Sequence, residues 1–280
     1  MPDAPGLAII AGGGELPRLL AMDAAARGRP YLVVRFEGVP VDWADEHPHY
    51  TARFEKLGAL FAALRAADCG RVVFAGGMAR PNLNPLRFDA AFAKLSVRLL
   101  PALKSGDDAT LRVIVSAFED AGFTVQGAHE LLSGLTMAAG IPTRAQPSAA
   151  DQADAARAAD IVTALGSLDI GQGAVVAQGI CLATESIQGT DAMLRFAAAG
   201  AGFRPDPDGA RGLLLKAPKP TQDRRVDLPA IGPDTIDLAA AAGLAGVVIA
   251  ADGVIVLGRE AVIARADAAG LFLWARDMGR

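Results

Sequence analysis

The feature that most constrains this chain is a strand–glycine–helix alternation in its first half. Leu7–Ile10 is a short apolar run closed by Gly12-Gly13-Gly14, and a helical pattern follows from about Leu16 to Arg27. Tyr31–Phe36 reads as the next strand. Glu55–Ala67 then carries Leu57, Leu60, Phe61 and Leu64 at helical spacing. Arg71–Ala75 is a third strand, ended by Gly76-Gly77. Asp107–Ala121 is a helix with acids at its start and Leu111, Ile114, Val115 and Phe118 on one face. Short apolar strands separated by amphipathic helices predict a parallel sheet covered on both faces.

The character changes between Ala138 and Pro147, where Gly140, Pro142 and Pro147 sit among small and polar residues without periodicity. This stretch is the expected linker. The chain therefore divides into residues 1–137, the linker 138–147 and residues 148–280. Ser148 can cap a helix that runs to about Leu165. Beyond it, Gly173–Gln178 and Ile180–Glu185 are apolar runs separated by Gly179, and Leu213–Ala217 is another strand. Val247–Ala250 and Val254–Leu257 flank Ala251-Asp252-Gly253, an Asp-Gly hairpin signal. A last helix, about Arg259–Ala268, leads to a strand at Leu271–Ala275. The fold class is α/β, with an N-terminal Rossmann-like parallel-sheet domain and a C-terminal mixed α/β domain.

Composition narrows the function. With 280 residues, 52% of them apolar, the chain can bury two domain cores. A net charge of −4 and only 5% aromatics argue against a nucleic-acid partner, which would select for basic surface and stacking rings. Cys69 and Cys181 form no CxxC and are expected to be buried small hydrophobes. Asp3 and the early glycine turn stand where an export signal would need a basic start and a long apolar run. The uncharged stretch from Leu238 to Ala251 is too short to span a bilayer.

Five segments could carry chemistry. Ala11–Pro17 places Gly12, Gly13 and Gly14 between a strand and a helix start, the usual way to bring backbone N–H groups to a phosphate. It departs from a dinucleotide fingerprint, because Pro17 stands where GxGxxG needs its third glycine; Glu37, past the second strand, could hold a ribose. Phe74–Pro81 lies at the C-terminal end of the third strand, where ligands of open α/β sheets bind, and offers Gly76, Gly77 and Arg80. Leu168–Gly173 surrounds Gln172 with Gly171 and Gly173, beside Asp169; Gln172 offers both a donor and an acceptor. In Glu185–Met193 a carboxylate ends a strand and Thr190-Asp191 open a helix, with Thr190 the expected N-cap. There Glu185 and Asp191 could lie beside a phosphate and its metal.

The most informative segment is Lys216–Pro229, with Lys216, Lys219, Arg224 and Arg225 beside Asp223 and Asp227. Its prolines disfavour helix, and Pro229 pushes Leu228 into an extended conformation. An extended segment turns Arg225 and Asp227 to the same face: a cation for phosphate next to a carboxylate for metal or water. His47, His49 and His129 have no metal-ligand spacing, though His129 could line a cleft. No GxSxG occurs. On these residues alone, a phosphorylated nucleotide ligand is expected. An NAD(P)-dependent oxidoreductase and a non-catalytic nucleotide-binding module remain as rivals.

Taken together, Ile10–Gly14, Phe74–Pro81, Gly127-Ala128-His129-Glu130, Leu168–Gly173, Gly189–Leu194, Lys216–Pro220 and Arg225–Gly232 resemble the LpxI-type UDP-2,3-diacylglucosamine pyrophosphatases of lipid A biosynthesis. The resemblance spans nearly the whole chain. It implies hydrolysis of UDP-2,3-diacylglucosamine to UMP and 2,3-diacylglucosamine 1-phosphate (lipid X), with water attacking the sugar-side phosphorus. It implies magnesium, or manganese in its place, and an essential aspartate matching Asp227. Asp227, Asp191 and Glu185 are the expected metal ligands. Substrate is expected at Gly12, Gly13, Gly76, Gly77, Arg80, His129, Asp169, Gln172, Gly173, Thr190, Lys216 and Arg225. The N-terminal domain would hold the uridine nucleotide and the C-terminal domain the acylated sugar phosphate. The resemblance also implies a Gram-negative host and a cytoplasmic enzyme peripheral at the inner membrane. A homodimer is one assembly it leaves open.

Overall fold

The computed structural model describes residues 5–220 and 222–279; Asp3 and Thr221 lie outside them. The chain forms two units, one ending at Ser133 and the other beginning at Gly134.

The first unit runs β1 (Gly6–Ala11), α1 (Leu16–Ala26), β2 (Tyr31–Phe36), β3 (His49–Ala52), α2 (Leu57–Ala66), β4 (Cys69–Ala75), α3 (Ala90–Ala102), α4 (Asp107–Asp120), β5 (Thr124–Gln126) and α5 (Ala128–Leu131). Its sheet has the order β3-β2-β1-β4-β5, and every pairing is parallel. All six residues of β1 are buried, because this strand lies at the centre of the sheet. Leu57, Leu60, Phe61 and Leu64 form the buried stripe of α2, as their spacing predicts. Phe61, Phe118 and Phe123 meet there as aromatic contacts.

The second unit runs α6 (Ala149–Ser167), β6 (Gly173–Ala177), β7 (Ile180–Thr184), α7 (Gly189–Ala199), β8 (Leu213–Lys216), β9 (Ala230–Ile231), α8 (Pro233–Ala241), β10 (Gly246–Ala250), β11 (Ile255–Val256), α9 (Arg259–Ala269) and β12 (Phe272–Arg276). Its main sheet has the order β12-β10-β8-β6-β7. β12, β10 and β8 are mutually parallel, while β6 runs against β8 and β7 against β6. β6 and β7 form a hairpin through Gln178 and Gly179, at φ 52° and 78°, the two left-handed positions of a type I′ turn. Ser148 caps α6 in a full capping box with Asp151. The 138–147 stretch is bonded along β12 and α9. Gly140 and Ala275 exchange backbone bonds of 2.9 Å, the Leu273 N–H donates to Thr143 Oγ1 at 2.9 Å, and the Arg144 N–H donates to Asp267 Oδ1 at 2.8 Å.

Three sequence expectations are corrected here. The Asp252-Gly253 turn closes no hairpin: β10 already has β8 and β12 on its two edges, and β11 pairs with β9 instead. The segment around Arg225 is not extended, since residues 224–226 form a turn with the Val226 N–H bonded to Asp223 O at 3.1 Å. Cys69 is buried as expected, but Cys181 is exposed, because β7 is an edge strand with its outer face uncovered.

Candidate active site

In the first unit, α1 leads from β1 to a neighbour on one side, and β4 lies on the other. The crevice beyond the ends of β1 and β4 is therefore the switch point of the sheet. Gly12-Gly13 and Gly76-Gly77 sit there and pack on each other. Gly13 and Gly77 exchange backbone bonds of 2.7 and 3.0 Å, and the Gly12 N–H donates to Ala75 O at 2.8 Å. A Cβ on Gly12 would lie 2.5 Å from Gly77 O, and Gly76 holds φ 85°, so side chains are excluded at Gly12 and Gly76. The same contacts occupy the N–H groups of Gly12, Gly13 and Gly77. The donors without an intrahelical acceptor are those at the start of α1, where Pro17 supplies none.

Arg80 is held inside this unit, donating to Asp107 Oδ1 at 3.1 Å through Nε and to Leu103 O at 2.9 Å. Glu37 is paired with Arg53 at 2.7 Å. His129 follows β5, and its Nδ1 is buried without a hydrogen-bond partner, as is Oε1 of Gln126 at the strand's end.

The second unit concentrates ionisable side chains at one sheet edge. β8 ends at Lys216, and the reversed β6 begins opposite it, Gly173 against Lys216. The connection before β6 and the residues after β8 therefore meet, fixed by the Ala217 N–H donating to Gln172 O at 3.0 Å. β7 returns to the same edge and delivers Glu185, whose N–H bonds Gly173 O at 2.8 Å.

Lys216 is only 4% exposed. Its Nζ donates to Thr190 Oγ1 at 2.6 Å and to Ala230 O at 3.3 Å, and lies 3.5 Å from Glu185 Oε2. That carboxylate oxygen is buried without a hydrogen bond, so Lys216 compensates it by charge rather than by a formed bond. A Cβ on Gly173 would stand 2.6 Å from Glu185 Oε2, and one on Gly171 would overlap the Glu185 carbonyl. The two glycines beside Gln172 thus make room for Glu185. Thr190 is not the N-cap of α7: Gln188 holds that place, and the Thr190 hydroxyl is taken by the Lys216 ammonium.

Asp227 Oδ2 accepts from Gln172 Nε2 at 3.2 Å and from Gln222 Nε2. Gln222 Oε1 accepts the Lys219 N–H at 2.9 Å, and the Lys219 ammonium pairs with Asp169, a residue at φ 55°. Arg225 is bound by Asp223 through Nε at 3.0 Å and Nη2 at 2.7 Å. Asp191 is exposed on α7, 3.9 Å from Arg195. The structure thus joins Asp169, Gln172, Gly173, Glu185, Thr190, Lys216 and Asp227 into one connected cluster. It turns Arg225 towards Asp223 and Asp191 towards Arg195. Among the described residues, no three His, Cys, Asp or Glu side chains converge so as to hold a metal ion.

Two family models match almost the whole chain. The LpxI N-terminal domain matches residues 6–135 and the LpxI C-terminal domain residues 138–274. The chain belongs to the LpxI family. It is also 44% identical over 272 residues to the UDP-2,3-diacylglucosamine pyrophosphatase LpxI of Caulobacter vibrioides (strain ATCC 19089 / CIP 103742 / CB 15), covering 97% of each chain.

Within this LpxI-family chain, sequence reasoning passed over Gln222 and Gln126, and took Asp223 only as one charge of its segment. Gln222 and Asp223 carry no motif of their own. The available signal was the run of polar residues between Pro220 and Val226, which turns their side chains back onto Lys219, Asp227 and Arg225 once it folds. Gln126 gave only the signal of a polar residue ending a strand.

Proposed function

We propose that this chain hydrolyses the pyrophosphate bond of UDP-2,3-diacylglucosamine to UMP and 2,3-diacylglucosamine 1-phosphate. The observation that carries the reading is the 44% identity to a pyrophosphatase of that name across 97% of both chains. In the reaction, a water oxygen bonds to the sugar-side phosphorus. The bridging oxygen leaves with uridine phosphate, and the water gives up its proton.

The second unit supplies groups for this step. Asp227, held by two neutral amides, is placed to orient the water and accept its proton. Lys216 and Lys219 lie beside it for the phosphate oxygens. Their charge is already matched, however. Lys216 stands against Glu185, Lys219 against Asp169 and Arg225 against Asp223. A pyrophosphate entering such a site calls for added positive charge. Magnesium meets that need with only one or two carboxylates, because it takes its other ligands from water and substrate phosphates. The reading gives that place to Asp227, whose Oδ2 is oriented by two neutral amides. When bound, the ion would supply Lewis-acid neutralisation of the phosphoryl oxygens.

The reading assigns the uridine nucleotide to the first unit, supported by its glycine-lined switch point. It assigns the acylated sugar phosphate to the second. Leu168, Ile170 and Ile187 are exposed apolar residues flanking Asp169 and Glu185, and Gly171 presses the two loops together. They suit acyl chains and a peripheral position on a lipid surface, the cytosolic face of an inner membrane. Among the described residues, no helix is long and apolar enough to cross a membrane.

Incubation with UDP-2,3-diacylglucosamine in detergent micelles and ¹⁸O-water tests this. Release of UMP with the label in the sugar phosphate is expected. Absence of UMP at any divalent-cation concentration would sink the reading, and label in UMP would move the attack to the other phosphorus.

A further inference from the structure

We infer that Gln222 is a positioning residue that, together with Gln172, holds the Asp227 carboxylate in its working orientation. The inference rests on the reading that Asp227 serves the hydrolysis proposed above. Gln222 is buried. Its own orientation is fixed by chemistry: the Lys219 backbone N–H can only donate, so it faces Oε1, and the amide nitrogen must face Asp227. Gln172 reaches the same Oδ2 atom from the connection before β6, a segment fixed by its backbone bond to Ala217. Two amides from chain segments far apart in sequence thus converge on one carboxylate oxygen.

The residue type matters. A lysine or arginine at either place would also orient the carboxylate, but it would cancel the charge that a cation or a water proton needs. This is how the same cluster treats Glu185 and Asp169, each matched to a lysine. Asp227 receives two uncharged side-chain donors at a single oxygen, and amide donors orient a carboxylate by hydrogen bonds without neutralising it. The Lys219–Asp169 pair in turn anchors the backbone on which Gln222 rests.

The deciding variant is Gln222→Glu. It keeps an oxygen for the Lys219 N–H and nearly the same shape, but it exchanges the donor facing Asp227 for an acceptor and adds a negative charge, so Gln172→Met, which removes the other donor without adding charge, is read beside it. In both variants the kcat for UDP-2,3-diacylglucosamine is expected to fall about 10–100-fold, with KM held within roughly 3-fold, the range for loss of a group supporting a functional ligand. A purely structural role in the Lys219 turn predicts that Gln172→Met, which does not touch that turn, leaves kcat unchanged. A folded Gln222→Glu protein with kcat within about 2-fold of wild type overturns the inference. If that variant does not fold, Gln172→Met decides, because it removes the second donor while leaving the Ala217 bond intact: a comparable kcat loss supports the clamp, and unchanged kcat overturns it. Asp227→Asn is run alongside. A dead Asp227→Asn with a fully active Gln222→Glu rejects the clamp and spares the reading. An active Asp227→Asn, or a wild type that releases no UMP, rejects both.

Discussion

The two units solve the same problem with different materials. Each has a five-stranded sheet with a candidate site at one edge. In the first unit that edge is made of backbone: Gly12-Gly13 and Gly76-Gly77 interlock, and no side chain fits at Gly12 or Gly76. In the second it is made of ionisable side chains, the buried Lys216 and Lys219 with the half-buried Glu185, Asp169 and Asp227. Topology explains the contrast. An all-parallel sheet brings only strand-to-helix turns to its C-terminal edge. Reversing β6 brings an incoming connection there too, so Gln172, Glu185 and Lys216 arrive from three segments at one place. A backbone edge suits binding, and a side-chain edge can also move protons and charge.

If that division is right, the largest effects come from the side-chain edge. Asp227→Asn should lower kcat roughly 10²–10⁴-fold, the usual worth of a positioned acid or base, and leave KM nearly unchanged. Steady-state kinetics checks it, and a variant with near wild-type kcat would remove Asp227 from the chemistry. Exhaustive chelation should abolish most turnover, restored by magnesium or manganese, because Lys216 and Lys219 are already matched by Glu185 and Asp169. Full activity in EDTA would show that Lys216, Lys219 and Arg225 carry the phosphate charge alone.

Stability gives the next effect. Lys216→Met leaves Glu185 buried without its cation, which should cost about 3–5 kcal/mol in denaturant unfolding. Adding Glu185→Gln should recover most of that loss, since a neutral amide needs no counter-charge. A single-variant loss under about 1 kcal/mol would mean that the pair behaves as a surface one, and the buried-charge side of the comparison would fail.

Much of the fold could be read from the sequence because periodicity and glycine placement are local. α2 and β2 follow directly from spacing, and the two apolar runs either side of Gly179 are the strands β6 and β7. α3 was not among the elements read from the sequence, although Asp89 caps it and Phe92, Leu95 and Leu99 form its stripe. The site was legible in its residue types more than in its pairings. Lys216 and Asp227 stood out as charges beside prolines, but their partners depend on strand reversal and on a turn that sequence spacing does not encode. Arg225 illustrates this: an extended segment was expected, and the turn that forms sets its guanidinium against Asp223. The glycines around Gln172 were legible as close-approach sites, while what approaches them, the Glu185 carboxylate and carbonyl, was not.

The smallest effects belong to the backbone edge, and they separate packing from backbone strain. Gly76 and Gly14 both hold positive φ, 85° and 92°. A Cβ on Gly14 meets nothing within 4 Å, so Gly14→Ala carries only the cost of a left-handed alanine, about 1–2 kcal/mol. A Cβ on Gly76 meets the Gly13 carbonyl and lies 2.9 Å from the Gly12 carbonyl carbon. Gly76→Ala should therefore lose a further 1–3 kcal/mol or so, the usual cost of overpacking. It should also separate the loops, so that amide exchange at Gly13 and Gly77 speeds up. In Gly14→Ala those two amides should stay protected, because their mutual bonds are untouched. Equal stability losses and equal exchange in the two variants would mean that the glycine loops yield easily, and a rigid backbone edge could no longer be set against the charged edge of the second unit.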